Sequence, residues 1–215
     1  MGAFGLIGVI ALLSLAGPGE PAMPTVDFRL QDHRGAWHTL DEARDRKVVV
    51  LAFLGTECPL AEAYAPRLAE LAGDFGKRGV AFFGVDANQQ DGPVAIGRFA
   101  EKHGLPFPIL KDVGNGLADR LGAERTPEVF VLDGSRAVVY RGRVDDQYAI
   151  GIHRPSSTRQ DLVEALDAVL AGRPVATPRT DAVGCIAEGK ARDERFKPFA
   201  LATAGCACHE HMAGV

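Results

Sequence analysis

The sequence predicts an α/β fold: a central mixed sheet flanked by helices, with a C-terminal extension. Three observations carry this reading. Two apolar runs, "VVVLAFLG" and "VAFFGVDAN", lack polar alternation; segments of helical spacing separate and follow them; and two later strand-like runs are joined by Asp-Gly-Ser. Unalternating apolar runs suit strands covered on both faces, as in parallel sheets. Parallel strands require crossover helices, and the late hairpin adds an antiparallel edge.

The elements follow in order. In residues 26–40, "DHRGAW" predicts a turn between two short extended pieces. After "VVVLAFLG", Leu60, Tyr64, Leu68, Leu71 and Phe75 recur at helical spacing, Gly76 and Gly79 close the segment, and Pro66 inside it predicts a kink. "VAFFGVDAN" leads to a helix over residues 93–103, with Arg98, Glu101 and Lys102 on its exposed side. "FPILKD" predicts a short strand and "NGLADRLGA" a short helix, whereas "EVFVLDGSRAVVYRGRV" predicts an antiparallel hairpin. "STRQDLVEALDAVLAGRP" reads as a helix with Ser157 or Thr158 as N-cap, Leu162, Leu166, Val169 and Leu170 on one face, and Gly172 with Pro174 as the stop.

These elements occupy residues 24–174, one domain of the 215-residue chain. Residues 1–23 are expected to be a signal peptide, with a membrane anchor as the second reading. Residues 2–19 are uncharged, and Ser14 and Ala16 have the small-residue spacing that predicts cleavage after Ala16. The run is slightly short of the roughly 20 apolar residues that comfortably span a bilayer. The expected location is therefore periplasmic or otherwise extracytoplasmic, where disulfides persist. Residues 175–215 read as a mobile linker and a Cys/His-containing extension. A net charge of −4 without a dense Lys/Arg block excludes nucleic-acid binding, which needs clustered positive charge.

Cys58 stands where a buried strand meets the first turn of a helix. Unpaired backbone N–H groups and the positive end of the helix dipole favour negative charge on sulfur there, and the thiolate is the nucleophilic form. Pro59 suits the first helical position. The Glu57 carboxylate acts in the opposite direction. A buried, inert cysteine is the competing reading. Arg141, Arg143, Asp145 and Asp146 in "YRGRVDD" are expected to form a solvated strand end with weak local ion pairs.

"CPLAEAYAP" resembles the active-site turn and helix of the thioredoxin superfamily, with the nucleophilic cysteine eight residues before a helix proline. "RTPEVFVLD" resembles the superfamily's Thr-Pro turn, and "YRGRVDD", "LAGRPV" and the late Gly184-Cys185 resemble a peroxiredoxin-like redoxin subfamily related to alkyl hydroperoxide reductase and thiol-specific antioxidant proteins. The resemblance implies a thioredoxin-like fold and a thiol-dependent oxidoreductase. In it Cys58 attacks a disulfide or peroxide, Cys185 is the candidate resolving thiol, and Thr56, Glu57, Pro59, Thr126 and a cis Pro127 line the substrate site. It also implies a thiol reductant or a disulfide-bearing protein as partner, with no cofactor required.

Two departures bear on mechanism. Ala61 occupies the place of a second active-site cysteine, and Thr56 stands two residues before Cys58 where peroxiredoxins have a threonine three before. Arg125 is likewise displaced from the peroxiredoxin arginine. In the tail, Cys206, Cys208, His209 and His211 lie within six residues, a density suited to zinc or copper. The single residue between the two cysteines disfavours haem attachment. A disulfide from Cys185 to Cys206 or Cys208 is the alternative to the resolving role. The competing function is a non-catalytic binding module for a protein partner, or for a metal held by the tail.

Overall fold

The structure, a computed structural model, describes residues 26–187. The two expected extended pieces are strands β1 (Arg29–Asp32) and β2 (Trp37–Thr39), which pair antiparallel. Asp32 closes the turn between them by accepting hydrogen bonds from the backbone N of Arg34 and of Ala36. A 3-10 turn at Leu40–Ala43 precedes β3 (Val48–Leu54), α1 (Pro59–Gly76), β4 (Val80–Asp86), α2 (Pro93–Lys102), β5 (Ile109–Lys111) and α3 (Gly116–Leu121). There follow β6 (Arg125–Thr126), β7 (Glu128–Leu132), β8 (Val138–Gly142), β9 (Tyr148–Ala149), β10 (Ile152–His153), α4 (Asp161–Leu170) and β11 (Cys185–Ile186).

The main sheet runs β2-β1-β5-β4-β3-β7-β8. Its centre, β3, β4 and β5, is parallel, and the flanks are antiparallel. Every β3 side chain is buried, as its unalternating sequence requires. Val48, Val50, Ala52 and Leu54 join the layer built with α1, α2 and α4; Val49, Leu51 and Phe53 join the layer that includes α3. Each fully buried Leu or Phe contributes about 1.5–3 kcal/mol of burial free energy. The expected α1 face is buried throughout, at Leu60, Tyr64, Leu68, Leu71 and Phe75, and Pro66 lies within the helix. In the hairpin turn, Asp133 Oδ1 accepts from Ser135 N and Oγ.

Two local expectations differ from the structure. Helix α4 starts at Asp161 with Gln160 as its cap, not at Ser157 or Thr158. Thr158 is held instead in the turn before the helix, where its N and Oγ1 both donate to the Asp146 carboxylate. The stretch expected as a mobile linker packs back on the domain. Arg141 N donates to Pro178 O and Thr180 N to Arg141 O, and Thr180 Oγ1 meets Tyr140 Oη and Arg143 N. Gly142, at φ +145°, permits this contact, since a Cβ there would overlap Thr180. Beyond it, β11 pairs with β6, Cys185 opposite Thr126, and the buried Ala187 donates its N–H to Glu124 O at 3.1 Å.

No helix among the described residues is long and apolar enough to cross a membrane. The expected signal or anchor segment, residues 1–23, lies outside the described residues, as do Cys206, Cys208, His209 and His211.

Candidate active site

Strand β3 carries the chain to Gly55, whose lack of a side chain leaves room for Asn88. A turn follows, closed by Cys58 N donating to Gly55 O at 3.2 Å. Cys58 is the N-cap of α1, Pro59 takes the first helical position, and Glu62 N donates to Cys58 O. The side chain is 2% exposed, and Sγ donates to Thr126 O at 2.9 Å. Cys58 is a free thiol. The Thr126–Pro127 bond is cis, and Thr126 Oγ1 is buried with no hydrogen-bond partner. The sequence motifs around Cys58 and Pro127, distant in the chain, thus meet at the sulfur. Glu57 is exposed and Pro59 half-buried.

Thr56 is occupied structurally. Its N and Oγ1 donate to the two oxygens of Asp91 at 2.9 and 2.7 Å, so its hydroxyl is turned to protein. Asn88 Nδ2 donates to Asp91 at 3.1 Å. Behind this clamp Asp86 ends β4, 1% exposed, with Lys111 Nζ 2.9 Å from Oδ1; Lys111 also bonds Asn88 O. Burial pushes the Asp86 carboxyl up to about 8, Asp91 reinforces the rise, and Lys111 opposes it. For Asp91 burial also pushes upward, but the hydrogen bonds from Asp86, Thr56 and Asn88 prevail and hold its carboxyl below the usual range. The two carboxyls are thereby pushed in opposite directions, Asp86 upward and Asp91 downward. Sequence reading singles out none of Asp86, Asn88, Asp91 and Lys111; the available signal is an aspartate closing an otherwise apolar strand.

The Thr126 turn has its own brace. Glu128, 2% exposed, accepts from Glu124 N at 2.6 Å and Arg125 N at 3.1 Å, and pairs with Arg141 Nη2 at 2.6 Å. Arg141 also donates to Gly122 O and lies over the Phe130 ring. The expectation of a solvated "YRGRVDD" strand end is therefore corrected. Arg141 pairs with a buried carboxylate, Arg143 Nε pairs with the buried Asp161 at 2.7 Å, and Asp145 accepts from Tyr64 Oη at 2.8 Å. Sequence spacing could not reveal partners that lie 13, 18 and 81 residues away.

Cys185 lies opposite Thr126, the residue whose carbonyl receives the Cys58 thiol. It is half-buried and disulfide-bonded, whereas Cys58 is free, so the two sulfurs are not joined to each other. Arg125, displaced from the expected anion-binding place, donates instead to Gly184 O at 3.3 Å. No group of three or more metal-ligating side chains occurs among the described residues. A cavity of about 790 Å³ bounded by Arg29, Trp37, Asp91, Lys111 and Asn115 does not include Cys58.

Comparison with known proteins shows the family. A thiol-disulfide oxidoreductase ResA of Halalkalibacterium halodurans is 34% identical over 136 residues, 62% of this chain and 74% of that one. The crystal structure of a hypothetical protein of Sinorhizobium meliloti 1021 is similar with a TM-score of 0.71 at 31% identity, covering 81% of this chain and 97% of that one. An uncharacterized conserved protein of Geobacillus kaustophilus is similar with a TM-score of 0.68 at 29% identity, over 80% and 98% of the two chains. The AhpC/TSA family model matches residues 20–141, a span that holds Cys58, the Asp91 clamp and the Thr126-Pro127 turn. The chain belongs to the AhpC/TSA family and is a thioredoxin-superfamily redoxin, a thiol-dependent oxidoreductase.

Proposed function

We propose that Cys58 is the nucleophile of this redoxin and attacks a peroxide or a disulfide, with Cys185 as the resolving thiol. The observation that supports this reading is the position of Cys58, at the N-cap of α1 and beside the cis Thr126–Pro127 bond, with Cys185 opposite Thr126. On peroxide, Cys58 sulfur takes one oxygen, releases water or an alcohol, and becomes a sulfenic acid; on a disulfide it expels one thiolate and becomes a mixed disulfide. Reduced Cys185 then attacks that sulfur, losing water or the bound thiol, and a Cys58–Cys185 disulfide forms. Two electrons from an external dithiol restore both thiols. In the described state Cys185 is already disulfide-bonded, so resolution begins once that bond has been reduced.

Thr56 and Glu57 shape the turn, Pro59 starts the helix, and the partnerless Thr126 hydroxyl is left for a substrate oxygen. The uncharged run at residues 2–19 supports export of the chain, cleaved or anchored. Turnover of hydrogen peroxide and of a small disulfide with dithiothreitol as reductant tests the assignment. Cys58→Ser should abolish both activities, and one equivalent of oxidant added to the reduced Cys185→Ser chain without dithiothreitol should leave Cys58 as a persistent sulfenic acid or mixed disulfide. Retained turnover in Cys58→Ser would sink the nucleophile assignment. Absence of that persistent product in Cys185→Ser would sink the resolving role alone.

A further inference from the structure

We infer that β11 is a built-in occupant of the β6 edge, and that while docked it excludes extended protein disulfides from Cys58 and leaves the thiol to small oxidants. The inference rests on Cys58 as nucleophile and names the substrate class that reaches it. An unpaired strand edge is a template for an incoming extended peptide, which gains main-chain hydrogen bonds along it. A peptide laid along β6 would bring one of its residues opposite Thr126, beside the Cys58 sulfur. That position is filled by Cys185 of the same chain.

The occupant is fitted rather than loosely tethered. Gly184 lies so close to the Thr126 carbonyl that a Cβ there would overlap it. Arg125 Nη1 donates to Gly184 O, and Ala187 N donates to Glu124 O. Val183 and Cys185 pack on the core, and Ala187 is fully buried. Upstream, Thr180 is fastened to Tyr140 and Arg143. An external strand must displace all of these contacts to take the place of Cys185 opposite Thr126, whereas a small oxidant needs no place along β6. Gly184 is then a specificity-determining residue, because its missing side chain permits the docking.

Two probes with the same leaving group test this: 5,5′-dithiobis(2-nitrobenzoate), and a ten-residue cysteine peptide as its mixed disulfide with thionitrobenzoate. The quantity compared is the part of thionitrobenzoate release that Cys58→Ser abolishes, in the full chain and in Gly184→Val. Gly184→Ala is a milder variant should the valine chain not fold. Amide exchange at Ala187 reports whether the strand has lifted. We expect faster exchange at Ala187, a rise of at least tenfold in the peptide rate, and less than twofold change for the small probe. A peptide-to-small ratio within twofold of wild type, with Ala187 exchange accelerated, overturns the inference. Unchanged protection of Ala187 in the variants overturns it too, since docking would not depend on the close contact. Absence of any Cys58-dependent release in the wild-type chain, for both probes, would instead count against the nucleophile assignment itself.

Discussion

Asp91 accepts two hydrogen bonds from Thr56, from the backbone N at 2.9 Å and from Oγ1 at 2.7 Å. They fasten the turn that precedes Cys58 to the segment after β4. A threonine two residues before the cysteine reads in sequence as a substrate ligand out of register. In the structure it is the anchor of the turn that presents the thiol.

Replacing Asp91 should therefore cost stability through stranded donors. Asp91→Ala leaves Thr56 N, Thr56 Oγ1 and Asn88 Nδ2 without their acceptor. A buried donor left unpaired costs about 1–3 kcal/mol. With part of that recovered by water, the expected loss is about 3 kcal/mol in urea unfolding, and Asp91→Asn, which keeps one oxygen, should lose roughly half as much. Wild-type stability in Asp91→Ala would show that the clamp holds nothing.

Asp86 predicts a pH dependence of definite sign. Its carboxyl is raised from 3.8 to about 8, first by burial and then by Asp91. Between these values the folded state holds a proton that the unfolded chain has released, so this stabilising contribution is full below about pH 4 and is lost as pH rises through 8. The limiting slope for one such group is on the order of 1 kcal/mol per pH unit. Urea midpoints from pH 5 to 8 should fall more steeply for wild type than for Asp86→Asn, which cannot ionise. Parallel curves would remove Asp86 as the cause.

The Glu128–Arg141 pair predicts an asymmetry. Arg141→Met leaves the Glu128 carboxylate, 3% exposed, without its counter-charge. Breaking a buried pair from one side costs about 3–5 kcal/mol. Two backbone N–H donors from Glu124 and Arg125 remain, which puts the expectation near the lower end. Arg141→Lys keeps the charge but loses the two-pronged contact and should fall between. Because Glu128 shapes the turn bearing Thr126, Arg141→Met should also slow Cys58 oxidation by peroxide several-fold in stopped-flow measurements; an unchanged rate would separate the brace from the site.

What sequence could show, and what it could not, follows from range. The buried strands, the α1 face, the hairpin and the strand–cysteine–helix junction are written in runs of a few residues, so periodicity and turn chemistry suffice to read them. Cys58 and Pro127 stand out because each sits in a local motif. Asp86, Asp91 and Lys111 meet only because β3, β4 and β5 lie side by side, and Arg141 finds Glu128 only through the β7–β8 register. A single sequence carries no record of such register. The residues after Pro174 look like a linker because their close approach to the domain needs two glycines, Gly142 and Gly184, whose signal is the absence of a side chain.

Gly142 yields the last prediction. It adopts φ +145°, and a Cβ would overlap Thr180 Oγ1 and backbone. Gly142→Ala therefore combines backbone strain with a clash and should lift residues 178–180 from β8, releasing the Thr180 bonds to Tyr140 and Arg143. Thr180→Ala removes those bonds but leaves the close approach intact, so it should cost only about 1–2 kcal/mol. Exchange at Thr180 N, which is bonded to Arg141 O, should accelerate at least tenfold more in Gly142→Ala than in Thr180→Ala. Equal exchange in the two variants would mean that the hydroxyl bonds, and not the bare glycine, hold the returning chain against the sheet.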